Sequence, residues 1–207
     1  MVCALLGWSG VSRLLLVRHG QSTWNAEGRW QGQADPPLSD LGVEQAETAA
    51  AVLDRIDAVW SSDLQRANHT ARILSVPHAL EVAVDPRIRE REAGPWTGLT
   101  RDEIEAQFPG HLSRGVRPAG YETDDSLAAR TLAALTEIAT ALDGRTAVVV
   151  THGGVIVTVE RHHGLERTPI HNLEARWLEW RADSSEVSDT SGGGTAGFVV
   201  GERVTLL

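Results

Sequence analysis

Two short aliphatic runs in this chain end in the same way. The run LLLV leads into Arg18, His19 and a glycine, and the run AVVV leads into a threonine, His152 and two glycines. A short apolar run bounded by glycine is typical of a buried strand. Because ligands bind at the carboxyl ends of parallel strands in α/β proteins, we expect both histidines at one edge of one sheet.

The rest of the chain alternates predicted helices and strands. Apolar residues recur at helical spacing over 39–56, 63–74 and 123–142, and Ser39 is a suitable N-cap for the first of these helices. Strand-like runs occur at DAVWSS, ALEVAV, NLEARWLEWRA and GFVVGERVTLL. This alternation predicts an α/β three-layer sandwich, with a mainly parallel sheet flanked by helices.

The length of 207 residues fits a single domain spanning 1–207. We expect an N-terminal extension at 1–12 and a flexible loop at 183–196, which is rich in Ser and Gly. The segment at 85–121, rich in Arg, Glu, Gly and Pro, is predicted to form a small flap insertion over the C-terminal edge of the sheet. Arg130 and Glu122 are expected to support this flap.

Charge and composition exclude several classes of protein. The net charge is -9, and the sequence has no stripe of basic residues of the kind that would indicate a nucleic-acid partner. All 19 basic residues are arginine, so the P-loop, Schiff-base and kinase chemistries that require a lysine are excluded. No apolar run predicts a membrane span, and the single cysteine, Cys3, favours a cytoplasmic location.

A second arginine is predicted at the same edge of the sheet as the two histidines. In SSDLQRANHTA, Arg66 falls in the first turn of the helix that follows the second strand. Arg18, Arg66, His19 and His152 together suit an anion with several oxygens, of which phosphate is the common one.

Five segments of the chain, in order, resemble the histidine phosphatase superfamily, which has the phosphoglycerate mutase-like fold. These segments are LVRHGQSTWN, GRWQGQADPPLSDLGVEQA, SSDLQRANHTA, IREREAGPWTGL and VVVTHGGVI. The resemblance implies a phosphohistidine mechanism with His19 as the nucleophile. Arg18, Arg66 and His152 would hold the phosphoryl oxygens, and Asn25 would add a neutral donor to this phosphate pocket.

The resemblance also implies that Glu90 donates a proton to the leaving oxygen. A carboxyl group that donates a proton must have its pKa raised, by partial burial or by nearby phosphate charge, so Glu90 is expected in the closed pocket beneath the flap. Glu92 lies two residues on, faces the same side of an extended segment, and stays the alternative. The chain departs from the family at Ala93, where an aromatic residue is usual, and at Thr97, where a second glutamate is usual. Gln31 either lines the substrate side of the pocket or packs its own loop.

We therefore expect a phosphomonoesterase that hydrolyses a small phosphorylated metabolite and needs no metal or cofactor. A cofactor-dependent phosphoglycerate mutase is the alternative, disfavoured because the interval between the donor and His152 is short and its charges are mixed. An inactive phospho-ligand-binding module is a lesser alternative, since no residue of the catalytic set is lost. The last strand and the ARWLEW segment are equally compatible with a homodimer surface and with buried core.

Overall fold

The computed structural model describes residues 10–181 and 197–207. Most of the predicted N-terminal extension and all of the predicted loop at 183–196 lie outside the described residues. The helices within those two ranges are all too short or too polar to cross a membrane.

The described residues form six strands and seven α-helices, in an order that alternates over most of the chain. The strands are β1 (Ser12–Arg18), β2 (Ala58–Ser61), β3 (Val82–Val84), β4 (Thr146–Thr151), β5 (Glu174–Arg181) and β6 (Gly197–Thr205). The helices are α1 (Thr23–Ala26), α2 (Asp40–Val52), α3 (Gln65–Ser75), α4 (Arg101–Gln107), α5 (His111–Arg114), α6 (Asp124–Leu142) and α7 (Gly153–His162). Ser39 caps α2 through its side chain, as predicted.

All six strands belong to one sheet in the order β3-β2-β4-β1-β5-β6. The first four in this order run parallel to one another, and β5 and β6 add an antiparallel edge. In the register of β1 and β4, Arg18 pairs with Thr151. The two strands therefore end side by side, and the predicted mainly parallel sheet is confirmed.

Helices cover both faces of the sheet. Leu14 and Leu16 of β1 face the layer that contains α6 and α7, whereas Leu15 and Val17 face the layer that contains α2 and α3. This alternation along a fully buried strand gives two hydrophobic cores, one on each side of the sheet. The predicted three-layer α/β architecture is confirmed.

The segment predicted as a flap contains short helical turns, α4 and α5, packed around Trp96. Trp96 is fully buried, and Trp30 and Tyr121 contact its ring edge-on, with centroids 5.0 and 5.4 Å away. This aromatic cluster holds the flap beside the ends of β1 and β4, where flap residues form part of a cavity wall. Arg130 of α6 donates hydrogen bonds to the carbonyls of Arg87, Arg89 and Glu90, so its predicted support of the flap is confirmed.

Candidate active site

The adjoining ends of β1 and β4 bring the two predicted histidines together. The backbone N–H of His19 donates to the carbonyl of Thr151 at 3.1 Å, which continues the strand pairing by one residue. The imidazole centroids of His19 and His152 are 5.1 Å apart, with the rings inclined at 65°. Both side chains are buried. The structure therefore places both histidines at one edge of the sheet, as the sequence predicted.

The hydrogen bonds of His19 determine its tautomer. Nδ1 lies 2.6 Å from the carbonyl oxygen of Gly20, and a carbonyl can only accept, so Nδ1 carries the proton. Nε2 is then the nitrogen that carries the lone pair, and it accepts from Nε of Arg66 at 3.3 Å. Burial, with the positive charges of Arg66 and Arg18, holds the pKa of His19 well below its ordinary value. The ring is thus neutral at neutral pH, as a nucleophile must be.

His152 differs from His19 in that neither of its ring nitrogens has a hydrogen-bond partner among the described residues. It is the N-cap residue of α7 and is fully buried. Burial and the charge of Arg66 hold its pKa well below the ordinary value as well. A buried polar group without a partner costs free energy, so this ring is suited to an oxygen supplied by a ligand.

Two arginines complete the pocket around the histidines. Arg66 is fully buried and donates Nη1 to the carbonyl of Ala34 at 2.7 Å and Nη2 to that of Gly32 at 3.0 Å. Arg18 donates Nη1 to the carbonyl of Ile170, and its buried Nε has no partner among the described residues. Burial lowers the pKa of Arg66 to about 10, so this guanidinium stays charged at neutral pH. Backbone carbonyls therefore orient both side chains without neutralising them.

Arg18, His19 and Arg66 line a cavity of about 1120 Å³ between the sheet edge and the flap, whereas the fully buried His152 does not line it. Its wall carries seven arginines and three carboxylates, so positive charge is in excess. Arg18, His19 and Arg66 lie at one part of this wall, together with Asn25 and Gln31. With Glu90, six of the seven predicted site residues line this cavity, and His152 is the one that does not.

Glu90 lines the same cavity, whereas Glu92 does not. Glu90 accepts hydrogen bonds from the backbone N–H groups of Arg91, at 2.7 Å, and Gly154, at 3.0 Å. Glu92 instead accepts from the backbone N–H of Gly94 in the flap turn. Of the two candidate proton donors, only Glu90 therefore lies at the cavity.

Asn25 and Gln31 are held by the same short turn. The side-chain oxygen of Asn25 accepts from the backbone N–H of Ser22, completing a capping box at the start of α1. The Ser22 hydroxyl donates to Oε1 of Gln31 at 2.8 Å. In both amides the oxygen is engaged within the turn, which leaves the NH₂ group as the donor available to a ligand.

Several residues that position the site have little or no signal in the sequence. The hydroxyl of Thr70 accepts from the backbone N–H of Gly20, and Nδ2 of Asn172 donates to the carbonyl of His19. Both act on the backbone of residues far along the chain, which no local pattern marks. Gly154, whose backbone N–H contacts Glu90, is marked in the sequence, because it is the second glycine of the THGG motif.

Two buried histidines lie at the carboxyl edge of the parallel strands, with two arginines whose charges are not paired with a carboxylate in the described part of the chain. This arrangement is typical of a site for an oxyanion such as a phosphoryl group. The family model described as the histidine phosphatase superfamily (branch 1) matches residues 14–191, and the chain belongs to this superfamily. The resemblance inferred from the five sequence segments is confirmed.

The chain is similar to phosphatases that act on small metabolites and also to a phosphoglycerate mutase-like protein from Arabidopsis thaliana, which is 39% identical over 156 residues. A metal-independent phosphoserine phosphatase from Arabidopsis thaliana is 37% identical over 205 residues, which cover 88% of this chain and 85% of that protein. A glucosyl-3-phosphoglycerate phosphatase from Mycolicibacterium vanbaalenii is 39% identical over 163 residues, which cover 72% of each chain. The solved structure of a mycobacterial glucosyl-3-phosphoglycerate phosphatase in complex with VO3 superposes with a TM-score of 0.78 at 31% identity, covering 91% of this chain and 96% of that one.

Proposed function

We propose that this protein is a metal-independent phosphomonoesterase that hydrolyses a small phosphorylated metabolite through a phosphohistidine formed on His19. The observation that carries the proposal is the state of the His19 ring. Its Nδ1 proton is donated to the Gly20 carbonyl, and its Nε2 lone pair accepts from Nε of Arg66 in a cavity that Arg18 also lines. That combination suits attack on a phosphoryl group whose oxygens the two arginines hold.

In the first half-reaction, Nε2 of His19 attacks phosphorus in line and the bond from phosphorus to the ester oxygen breaks. Glu90, in its protonated form, gives its proton to that oxygen, and the alcohol leaves. The imidazole becomes cationic as the bond to phosphorus forms. Its Nδ1–H bond to the Gly20 carbonyl, 2.6 Å long, then stabilises the developing charge.

In the second half-reaction, a water molecule attacks the phosphorus of the phosphohistidine. Glu90, now a carboxylate, takes a proton from this water, and the bond from phosphorus to Nε2 breaks, so the lone pair returns to the ring. Arg18, Arg66 and His152 hold the oxygens of the phosphoryl group through both steps, and Asn25 and Gln31 add neutral donors. Phosphate leaves and the starting protonation states are restored.

Hydrolysis is proposed rather than mutase chemistry because the stretch between Glu90 and His152 is short and of mixed charge. A mutase must keep its intermediate from water, which calls for a substantial closing lid. The phosphatases among the relatives act on phosphoserine and on glucosyl-3-phosphoglycerate, which supports a small phosphomonoester as the substrate. A cytoplasmic location and a homodimer stay predictions from the sequence.

The test is phosphate release from 4-nitrophenyl phosphate in the presence of a chelator, comparing the wild-type chain with His19→Ala. We expect turnover by the wild type and none by the variant. His162→Ala is the matched control, because His162 is exposed at the end of α7, and it should keep wild-type activity. Release by a folded His19→Ala variant at the wild-type rate would contradict the proposed nucleophile.

A further inference from the structure

The wall of the cavity holds more arginine charge than the proposed chemistry uses. Of its seven arginines, Arg29, Arg91 and Arg161 form ion pairs with carboxylates. Arg18 and Arg66 belong to the phosphate pocket. Two cavity-lining arginines remain that neither pair with a carboxylate in the described part of the chain nor contact the histidines.

The first of these, Arg117, is held by aromatic rings of the flap. Its guanidinium carbon lies 5.1 Å from the ring centroid of Trp96 and 5.3 Å from that of Tyr121. Cation–π contacts of this kind fix the plane of a guanidinium without neutralising its charge. Its Nη1 is buried and has no hydrogen-bond partner among the described residues. Because a buried unpaired donor costs free energy, Arg117 is poised for an acceptor that a ligand brings.

The second, Arg167, lies on the loop between α7 and β5. The backbone of this loop is anchored to the body of the domain, since Arg203 donates to the carbonyls of Thr168 and Pro169, and Arg18 to that of Ile170. The side chain of Arg167 is exposed and lines the cavity. It therefore presents a charge to the cavity from a wall other than the flap.

Tyr121 connects the two arginines. It lines the cavity, and its ring centroid lies 5.3 Å from the guanidinium carbon of Arg117; burial raises its pKa, and the charges of Arg91, Arg117 and Arg167 act to lower that pKa. The fields of both guanidiniums therefore reach the Tyr121 hydroxyl. The cavity wall thus combines two guanidiniums that have no carboxylate partner in the described residues with a phenolic donor, in addition to the residues proposed to hold the phosphoryl group.

We propose that Arg117 and Arg167, with the Tyr121 hydroxyl, form a second anion subsite that receives a carboxylate of the substrate. This inference rests on the proposed function and makes it more specific, since the preferred substrates are then small phosphomonoesters that also carry a carboxylate. The planar guanidinium of Arg117 can donate two N–H groups to one carboxylate, and Arg167 adds charge from the loop between α7 and β5. Arg117 is accordingly a residue that determines specificity.

The test compares substrates that differ only in the carboxylate. Phosphoserine is paired with phosphoethanolamine, which lacks the carboxylate, and 3-phosphoglycerate is paired with glycerol 3-phosphate, in which a hydroxymethyl group replaces it. For the wild type we expect kcat/KM to favour the carboxylate-bearing member by about tenfold or more in at least one pair, which corresponds to one charge-assisted hydrogen bond. No preference in either pair would overturn the subsite.

The variant Arg117→Met keeps a long apolar side chain over the flap aromatics but removes the charge. We expect it to bring the preference close to one by lowering kcat/KM for the carboxylate-bearing member, with Arg117→Lys intermediate. Arg114→Met is the matched control: it removes the same charge from the same flap, but Arg114 is exposed, does not line the cavity and bonds only to the carbonyls of Gly110 and Pro109. It should keep the wild-type preference.

A wild-type preference that survives in Arg117→Met, or that is lost equally in Arg114→Met, would overturn the role of Arg117. These outcomes are distinguishable from failure of the proposed function, because 4-nitrophenyl phosphate carries no carboxylate and is measured alongside. A wild type that releases no phosphate from any of these substrates contradicts the phosphatase itself. A wild type that hydrolyses all of them at similar kcat/KM contradicts only the second subsite.

Discussion

The end of β1 and the end of β4 begin from the same sequence pattern and reach different structures. At the end of β1, both ring nitrogens of His19 are engaged, one with the Gly20 carbonyl and one with Arg66. At the end of β4, neither nitrogen of His152 has a partner in the described residues. The two rings are 5.1 Å apart, so their difference comes from the backbone that follows each strand and from the reach of Arg66.

The chain that follows each histidine explains the difference. After His152 the backbone enters α7 directly, and the carbonyl of His152 accepts from Ile156 within the helix. After His19 the backbone turns away, which brings the Gly20 carbonyl onto Nδ1. The turn fixes one tautomer at His19, whereas both nitrogens of the His152 ring are left without a partner in the described residues. A strand that ends in His-Gly thus does not by itself specify the role of its histidine.

The largest expected effect separates the two histidines. His19→Asn should form no phosphoenzyme and lose activity by at least about 10⁴-fold, because the nucleophile is gone. His152→Asn should still be labelled, and its kcat should fall by about 10²- to 10³-fold, as when one donor to a developing oxyanion is removed. Acid-quenched labelling with a ³²P-phosphate ester measures the difference. Labelling of the His19→Asn variant, or its loss only in His152→Asn, would reverse the two roles.

The next effect concerns the glycines that follow His152. A Cβ at Gly154 would lie 2.1 Å from Oε1 of Glu90, whereas a Cβ at Gly153 would meet nothing closer than 3.5 Å. Gly154→Ala should therefore displace the proposed proton donor and lower kcat/KM by about 10²-fold for an alkyl phosphate, but much less for 4-nitrophenyl phosphate, whose leaving group needs little protonation. Gly153→Ala should stay within a few-fold of the wild type.

The comparison with Glu90→Gln gives this prediction its control. Both Glu90→Gln and Gly154→Ala should show the same dependence on the leaving group, since both remove the acid from its place. A general loss of fold would lower the rates for all substrates alike. Equal losses for alkyl and aryl phosphates in Gly154→Ala would show that the glycine does not act through Glu90.

The third prediction uses what the two histidines share. Both have a pKa held well below the ordinary value by burial, and in the unfolded chain this value returns to about 6.5. Below pH 6.5 the unfolded state therefore binds protons that the folded state does not. The free energy of unfolding should fall as the pH is lowered from 6.5 towards the folded-state pKa, by up to about 1.4 kcal/mol per pH unit for each ring.

Urea unfolding between pH 7 and pH 5.5 measures this slope. His152→Asn should reduce it, and the double variant His19→Asn/His152→Asn should reduce it further. A double variant with the wild-type slope would assign the pH dependence to other groups.

Much of the site could be predicted because its residues come shortly after the ends of predicted strands. His19, His152 and Arg66 each stand within a residue or a turn of a strand that hydrophobic pattern alone identifies, and parallel pairing carries all three to one edge. Glu90 followed only from resemblance to a family. Its segment has no regular periodicity, and its position depends on Arg130 of a distant helix and on the N–H of Gly154.

Other parts of the site could not be predicted, because they depend on contacts between segments far apart in the chain. Arg117 is one of many arginines in the sequence, and nothing local distinguishes it from Arg114 three residues earlier. The flap aromatics select it in the folded protein, since its guanidinium packs on Trp96 while Arg114 bonds to backbone carbonyls at the surface. The hydrophobic pattern of the sequence identifies the strands and their ends, whereas tertiary packing determines which charged side chains line the cavity.

The smallest expected effect concerns the hydrogen bonds that hold the backbone at the ends of β1 and β4. The carbonyl of His152 is bonded within α7, but the carbonyl of His19 lies outside regular structure and is held by Asn172 at 2.8 Å. Asn172→Ala should lower the free energy of unfolding by about 1 kcal/mol, the usual cost of one such hydrogen bond, and lower kcat several-fold. Asn68→Ala removes an exposed side-chain hydrogen bond to Arg72 within α3 and should leave kcat unchanged. If Asn172→Ala matched Asn68→Ala in both urea unfolding and kcat, the Asn172 tether would not be what holds the β1 end, and the Gly20–Thr70 hydrogen bond would be the support to test.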